Sequence, residues 1–161
     1  MELKTVQVDI PPDTNIILGM SHFIKTVEDV YEAVMSSVPN PKFGIAFCEA
    51  SSVRLIRSDG TDPELVKKAE ENAEKIGAGH CFIIIMKDMF PINITNVLKN
   101  CFEIVTLYCC TANPVQVIVA ETDQGRGILG VIDGQSPLGI ENENDKETRI
   151  KFLRDIGYKR G

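Results

Sequence analysis

Positive charge is scarce in this 161-residue chain: 17 Lys and Arg stand against 23 Asp and Glu, a net charge of -6. That balance argues against nucleic acid as the main ligand, because phosphate backbones are held by excess cationic side chains. Long apolar runs are missing as well. The longest, Cys81 to Met86, is strand-sized and falls well short of the ~18–20 residues a membrane-spanning helix needs. Met1-Glu2-Leu3-Lys4 passes straight into alternation, with no basic segment followed by an apolar one, so a cytoplasmic protein is expected. The 5 cysteines are odd in number, include no C-x-x-C pair and mostly sit inside apolar runs, which favours reduced, buried thiols over a disulfide framework. With 2 histidines in all and no C-x-x-C pair, the usual ligand spacings of a structural zinc site find little support. G-x-x-x-x-G-K-[ST], Gly-x-Ser-x-Gly and His-Glu-x-x-His are all absent, which removes P-loop, serine-elbow and zincin chemistry.

What remains is an ordinary globular composition, 43% hydrophobic and 25% charged, long enough for one core without staples. Val6, Val8 and Ile10 alternate with polar neighbours and predict a strand ended by Pro11-Pro12-Asp13; a second is expected over Asn15 to Gly19. Val27, Val30, Tyr31, Val34, Met35 and Val38 share one helical face, with Thr26 as the expected N-cap and Pro39 as the stop. Strands are expected at Phe43 to Cys48 and Val53 to Arg57. Asp62-Pro63 opens a helix that Gly77 closes. Cys81 to Met86 is apolar on both faces and reads as a central strand. A short helix from Pro91 to Lys99 follows, then strands at Ile104 to Cys110, Val115 to Glu121 and Ile128 to Asp133. Asn144 with Glu147 suggests a capping box for a last helix. The expectation is one domain over residues 1–161, α/β or α+β, with a mixed β-sheet flanked by helices.

Polar clusters stand at the strand ends: Gly19 to His22, Glu49 to Ser51, Asp88 with Pro91 to Asn93, Thr111 to Pro114, and Thr122 to Gly127. In a largely parallel sheet these would converge on one edge, the usual place for a ligand crevice. Gly125-Arg126-Gly127-Ile128-Leu129-Gly130 spells G-x-G-x-x-G, yet a β-branched run follows where the dinucleotide fingerprint requires a helix, so that reading is rejected. Glycines on both sides of Arg126 still allow backbone amides and a guanidinium fork to approach a phosphate together; a hairpin carrying a solvated arginine is the plainer alternative. His22 precedes a helix N-terminus, which favours a neutral imidazole suited to nucleophile or base. His80 precedes a strand and is expected at the other end of the sheet. Glu49 and Ser51 follow a strand with one small-residue face; Glu49, Asp88, Glu121 and Asp133 compete as magnesium ligands, with turn-forming or solvated carboxylates as the alternative. Met20, Phe23 and Phe90 are candidates for stacking on a base.

Together, Gly19 to Asp29, Lys42 to Ser51, Gly77 to His80, Phe90 to Asn93, Thr111 to Pro114 and Glu121 to Gly130 closely resemble the adenosine-specific kinase family, over about Val6 to Tyr158. The resemblance implies a compact α/β-type homotrimer with nucleotide clefts between subunits, binding adenosine and AMP and associated with a phosphorylated histidine. It assigns that role to His22 first and His80 second, with Arg126 the third catalytic candidate. Ser21, Glu49, Ser51, Asn93, Asn113, Gly125 and Gly127 are the ligand-binding candidates. Met20 departs from the pattern, since many relatives are expected to carry Gln there. Phosphoryl transfer to adenosine, with ATP or ADP as donor and Mg2+ as the expected ion, is the leading expectation; an adenosine or AMP sensor without turnover is the alternative.

Overall fold

The computed structural model describes residues 1–160. The chain runs through β1 (Glu2–Gln7), β2 (Thr14–Ser21), α1 (Thr26–Ser37), β3 (Lys42–Cys48), β4 (Ile56–Gly60) and α2 (Pro63–Ile76). It continues through β5 (Cys81–Lys87), α3 (Pro91–Lys99), β6 (Ile104–Thr111), β7 (Val115–Thr122), β8 (Gly125–Asp133) and α4 (Glu143–Asp155). The strands form a 5-stranded sheet in the order β4-β3-β5-β2-β6 and a 3-stranded sheet in the order β1-β7-β8. The expected combination of helices and sheet is therefore present, but the expected mixed pairing is not: every strand pair of both sheets is antiparallel.

The reason lies in the crossovers. β2 and β3 are joined through α1 and point the same way, as strand–helix–strand alternation suggests, but β5 runs in the opposite sense between them. The pairs β4/β5 and β5/β6 repeat the pattern, with β3 and β2 inserted. These are split βαβ units, so each helical crossover skips one strand.

β5 is central, and its alternate side chains feed two separate cores. Cys81, Ile83 and Ile85 pack with Leu65, Ala69, Ala73 and Ile76 of α2 and with Val115, Val117 and Val119 of β7. Phe82, Ile84 and Met86 pack on the other face with Val27, Val30 and Val34 of α1 and Ile94 and Leu98 of α3. The layers are thus α1 and α3, the large sheet, then α2 beside the small sheet. α2 lies so close to β3 that a Cβ on Gly44 would sit 2.2 Å from the Val66 backbone nitrogen.

Several boundaries differ from the sequence expectation for local reasons. β1 stops at Gln7 because Asn72, buried on α2, takes the Asp9 amide on its Oδ1 and donates to the Asp9 carbonyl, both at 2.8 Å, drawing the chain off the sheet. Val53 to Leu55 is loop, since Ser52 and Arg54 adopt positive φ of 56° and 52°. Thr26 is not the cap of α1; Lys25 takes that position without a side-chain cap, and the Thr26 hydroxyl donates to the Phe23 carbonyl at 2.6 Å. Asp62 does cap α2, accepting from Glu64 and Leu65, and Gly77 ends it with φ of 61°. The last capping box is Asn142 with Asp145, two residues before the expected pair, and no residue of α4 is buried.

Candidate functional site

Antiparallel pairing decides what meets at each edge of the large sheet. The ends of β2 and β3 share one edge with the starts of β4, β5 and β6, so Ser21, His22, Glu49, His80 and Glu103 lie along it. The expected separation of His80 from His22 is therefore overturned. The Ser21 amide donates to the His80 carbonyl at 3.0 Å, and the His22 amide donates to the Glu103 carbonyl at 3.0 Å.

A cleft of about 880 Å³ opens at this edge, large enough for a nucleotide-sized ligand. Its walls are Cys48 to Ala50 with Arg54 to Ile56, the end of α2 through Gly77 and Gly79, and the β7–β8 hairpin from Ala120 to Gly127. The hairpin pairs Thr122 with Gly125 across a tight turn, which upholds rejection of the dinucleotide fingerprint. An isolated bridge between Ala78 and Arg126 ties the hairpin to the end of α2.

Arg126 is engaged on two sides. Its Nε pairs with Glu121, and its Nη1 donates to the carbonyls of Lys75 at 3.0 Å and Ile76 at 3.4 Å. The guanidinium thus caps the negative end of α2, where orphan carbonyls and the helix dipole favour a cation. Nη2 makes no bond to the described residues, which leaves two N–H donors on a residue that lines the cleft. Lys4 and Arg126 together hold the Glu121 carboxyl below the usual carboxylate range. Gly125 and Gly127 flank the arginine, and a Cβ at either would meet no atom within 4 Å, so the backbone there is open to close approach.

Glu49 lines the cleft with its Oε2 paired to Arg57 Nε. Ser51 is exposed in the following loop, its carbonyl accepting from the Arg54 amide at 3.2 Å. Ser21 is buried, and its hydroxyl lies 2.6 Å from the Thr26 hydroxyl. Because Thr26 donates to Phe23, Ser21 is the donor of that pair. The His80 ring stacks parallel on Phe47, centroids 6.0 Å apart, one residue beyond Gly79 of the cleft wall. His22 is exposed beside Phe23.

Asn93 and Asn113 lie at the opposite edge. Asn93 Oδ1 accepts the Phe90 amide at 2.8 Å at the start of α3, and Asn113 Nδ2 donates to Asp133 Oδ1 at 3.0 Å. They flank a second cleft of about 510 Å³, lined by Asn15, Phe90 to Ile92 and Cys110 to Ala112. Within one chain the structure unites Glu49, Arg126, Gly125 and Gly127 in one cleft, places both histidines along the same sheet edge but outside the cleft lining, with the His80 ring on the Phe47 face of the sheet, and leaves the two asparagines apart from them.

Sequence reasoning missed Arg54, whose positive φ at the cleft wall leaves no period to detect. It also missed Glu103, which is 1% exposed. Burial pushes the Glu103 carboxyl above the usual range, the facing Asp29 carboxylate adds to this, and Lys25 opposes it. No cluster of three or more His, Cys, Asp or Glu able to hold a metal occurs among the described residues, and no helix there is long and apolar enough to cross a membrane.

Against known proteins, no curated protein matches the chain. Among solved structures it is similar to the PH1918 protein from Pyrococcus horikoshii OT3, with 42% identity, a TM-score of 0.95 and 99% of each chain covered. Residues 6–159 match the family described as Adenosine specific kinase. Because that match takes in nearly the whole chain, both cleft edges included, the protein belongs to the adenosine specific kinase family.

Proposed function

We propose that this chain is an adenosine-directed phosphotransferase: it binds adenosine and AMP in the 880 Å³ cleft and transfers a phosphoryl group from ATP or ADP, with Mg2+ as the counter-ion. The observation that supports this most is the hairpin Gly125-Arg126-Gly127 at the cleft wall, where open backbone flanks a guanidinium anchored by Glu121 with donors to spare. Phosphoryl transfer depends on positioning and on neutralising phosphate charge, and an anchored fork beside free amides suits both tasks. Glu49, held by Arg57, and the Ser51 loop bound the nucleoside side of the same cleft.

His22 and His80 stand on adjoining strand ends and are the two candidate carriers of a phosphohistidine. Transfer through either would split the reaction in two: the imidazole nitrogen takes the terminal phosphoryl group as its P–O bond to the donor breaks and ADP or AMP leaves, then yields it to the adenosine hydroxyl, whose proton leaves to a base. Asn93 and Asn113, at the far edge, join a nucleotide site only if a neighbouring subunit presents them, which fits the expected homotrimer with clefts between subunits. The existing engagement of Arg126 as a helix cap favours the second reading, a sensor that binds adenosine or AMP without turnover.

The test is incubation with labelled ATP, Mg2+ and a nucleoside panel, following AMP and acid-labile label on the protein. Multiple-turnover AMP formation from adenosine, lost in Arg126→Ala, supports the kinase. Label lost in His22→Ala alone or His80→Ala alone identifies the carrier. Saturable binding without turnover replaces the kinase reading with the sensor.

A further inference from the structure

The four carboxylates that the sequence offers for a metal are all taken. Glu49 pairs with Arg57, Asp88 with Lys42 at 2.7 Å, Glu121 with Lys4 at 2.8 Å and with Arg126, and Asp133 accepts from Thr111 at 2.8 Å and from Asn113. Unspent acceptor capacity lies elsewhere. Among the described residues, the only buried side-chain oxygens without a hydrogen-bond partner are Oε1 and Oε2 of Glu103. A buried carboxyl group that no donor satisfies and that faces a second acid is costly to keep, which points to a use for the pair.

Two groups face it, one on the cap residue of α1 and one in its first turn. Lys25 Nζ lies 4.0 Å from Glu103 Oε2 and is paired directly with Asp29. One ammonium thus stands beside two facing carboxyls at a nearly solvent-free position, and burial together with their crowding holds the Glu103 carboxyl above the usual carboxylate range. Lys25 and Asp29 form the rim, with side chains 44% and 30% exposed, so the ammonium can swing outward without unpacking either core. The spot is directly under the His22 loop, whose amide donates to the Glu103 carbonyl.

We infer that Asp29 and Glu103 are the two protein ligands of a divalent-cation site of the magnesium class beside His22, in which the Lys25 ammonium stands in for the metal. The chemistry of the donor set fits. Hard carboxylate oxygens suit Mg2+ and Mn2+, and Mg2+ is commonly held by one or two carboxylates, its remaining positions going to water and phosphate oxygens. A dication would take the place of the ammonium and favour the ionised form of both carboxyls, which their facing one another otherwise opposes. The inference rests on the phosphotransferase reading only for the choice of metal, since the unpartnered oxygens and their charge neighbours stand without it.

The test titrates Mn2+ into the full chain without nucleotide, with free Mn2+ followed by electron paramagnetic resonance and Mg2+ as competitor. One saturable Mn2+ site per chain is expected, weakened tenfold or more in Glu103→Gln and in Asp29→Asn. Lys25→Met should tighten Mn2+ binding severalfold, because its ammonium competes for the same oxygens. Glu103→Gln keeps shape and removes the buried charge, so it reports even if Asp29→Asn folds poorly. The inference is overturned by the absence of saturable Mn2+ binding, by binding unchanged in Glu103→Gln, or by binding weakened in Lys25→Met. Mn2+ binding as expected without any AMP formation from ATP and adenosine overturns the phosphotransferase reading alone.

Discussion

Gly44→Ala tests how tightly the cleft wall is set by one absent side chain. A methyl at Gly44 would meet Val66 N at 2.2 Å, the Leu65 carbonyl carbon at 2.4 Å and Val66 Cα at 2.5 Å, all of them backbone atoms of α2. No rotamer change relieves that contact. The helix must lift by about 1 Å to reach ordinary carbon contact distance, and a gap of that size forfeits roughly a quarter to a half of each dispersion well it opens. Leu65, Ala69, Ala73 and Ile76 all lie in the affected seam. Overpacking typically costs ~1–3 kcal/mol, and a backbone-on-backbone clash belongs at the upper end, about 3 kcal/mol. For a chain of this size each kcal/mol moves Tm by roughly 2–4 °C, so a fall of about 6–12 °C is expected by calorimetry. Nucleotide affinity should fall with it, because α2 carries Gly77 and the carbonyls that anchor Arg126. Gly127→Ala is the control: its methyl meets nothing within 4 Å, and its Tm should stay near the parent's. A Gly44→Ala protein melting as close to the parent as that control would refute the packing argument.

Asn72→Ala removes the clamp that accepts the Asp9 amide and donates to the carbonyls of Asp9 and Lys68; unsatisfied groups in this buried spot should cost about 2–3 kcal/mol in urea denaturation. Arg126→Met loses the Glu121 pair and the cap on α2, and because the side chain is 30% exposed, solvent screening holds the expected loss to about 1 kcal/mol, with a larger fractional loss of nucleotide affinity. Burial raises the Cys110 and Cys101 thiols above their ordinary value and pushes Cys109 up to about 12. Alkylation of folded protein, read by mass spectrometry, should therefore modify exposed Cys110 first, accelerate as pH climbs past the usual thiol range, and spare Cys109 until the chain unfolds.

Local chemistry made much of the architecture legible. Asp62-Pro63 and Gly77 marked both ends of α2 because capping and left-handed backbone are short-range demands. Cys81 to Met86 announced the central strand by being apolar on both faces, and the structure splits that run between two cores. Ser52 and Arg54 escaped because nothing in a single residue's identity announces a positive φ at a non-glycine position. Thr26 misled for a related reason: its hydroxyl was within reach of Phe23 and Ser21, contacts that depend on how β2 enters the helix.

The position of the site depended on a long-range fact, the sense of β5 between β2 and β3. Strand–helix–strand alternation correctly implied that β2 and β3 run parallel, but it is silent on whether the slot between them is filled. With the slot empty, His80 would lie at the far edge from His22. With β5 inserted in the opposite sense, the start of β5 arrives where β2 and β3 end, which brings His80, Gly79 and Glu103 to the edge that already holds His22 and Glu49. The same inversion carries the ends of β5 and β6, and with them Asn93 and Asn113, to the opposite edge. A single strand's direction therefore divides the sequence's polar clusters into two sets held at opposite edges of the large sheet.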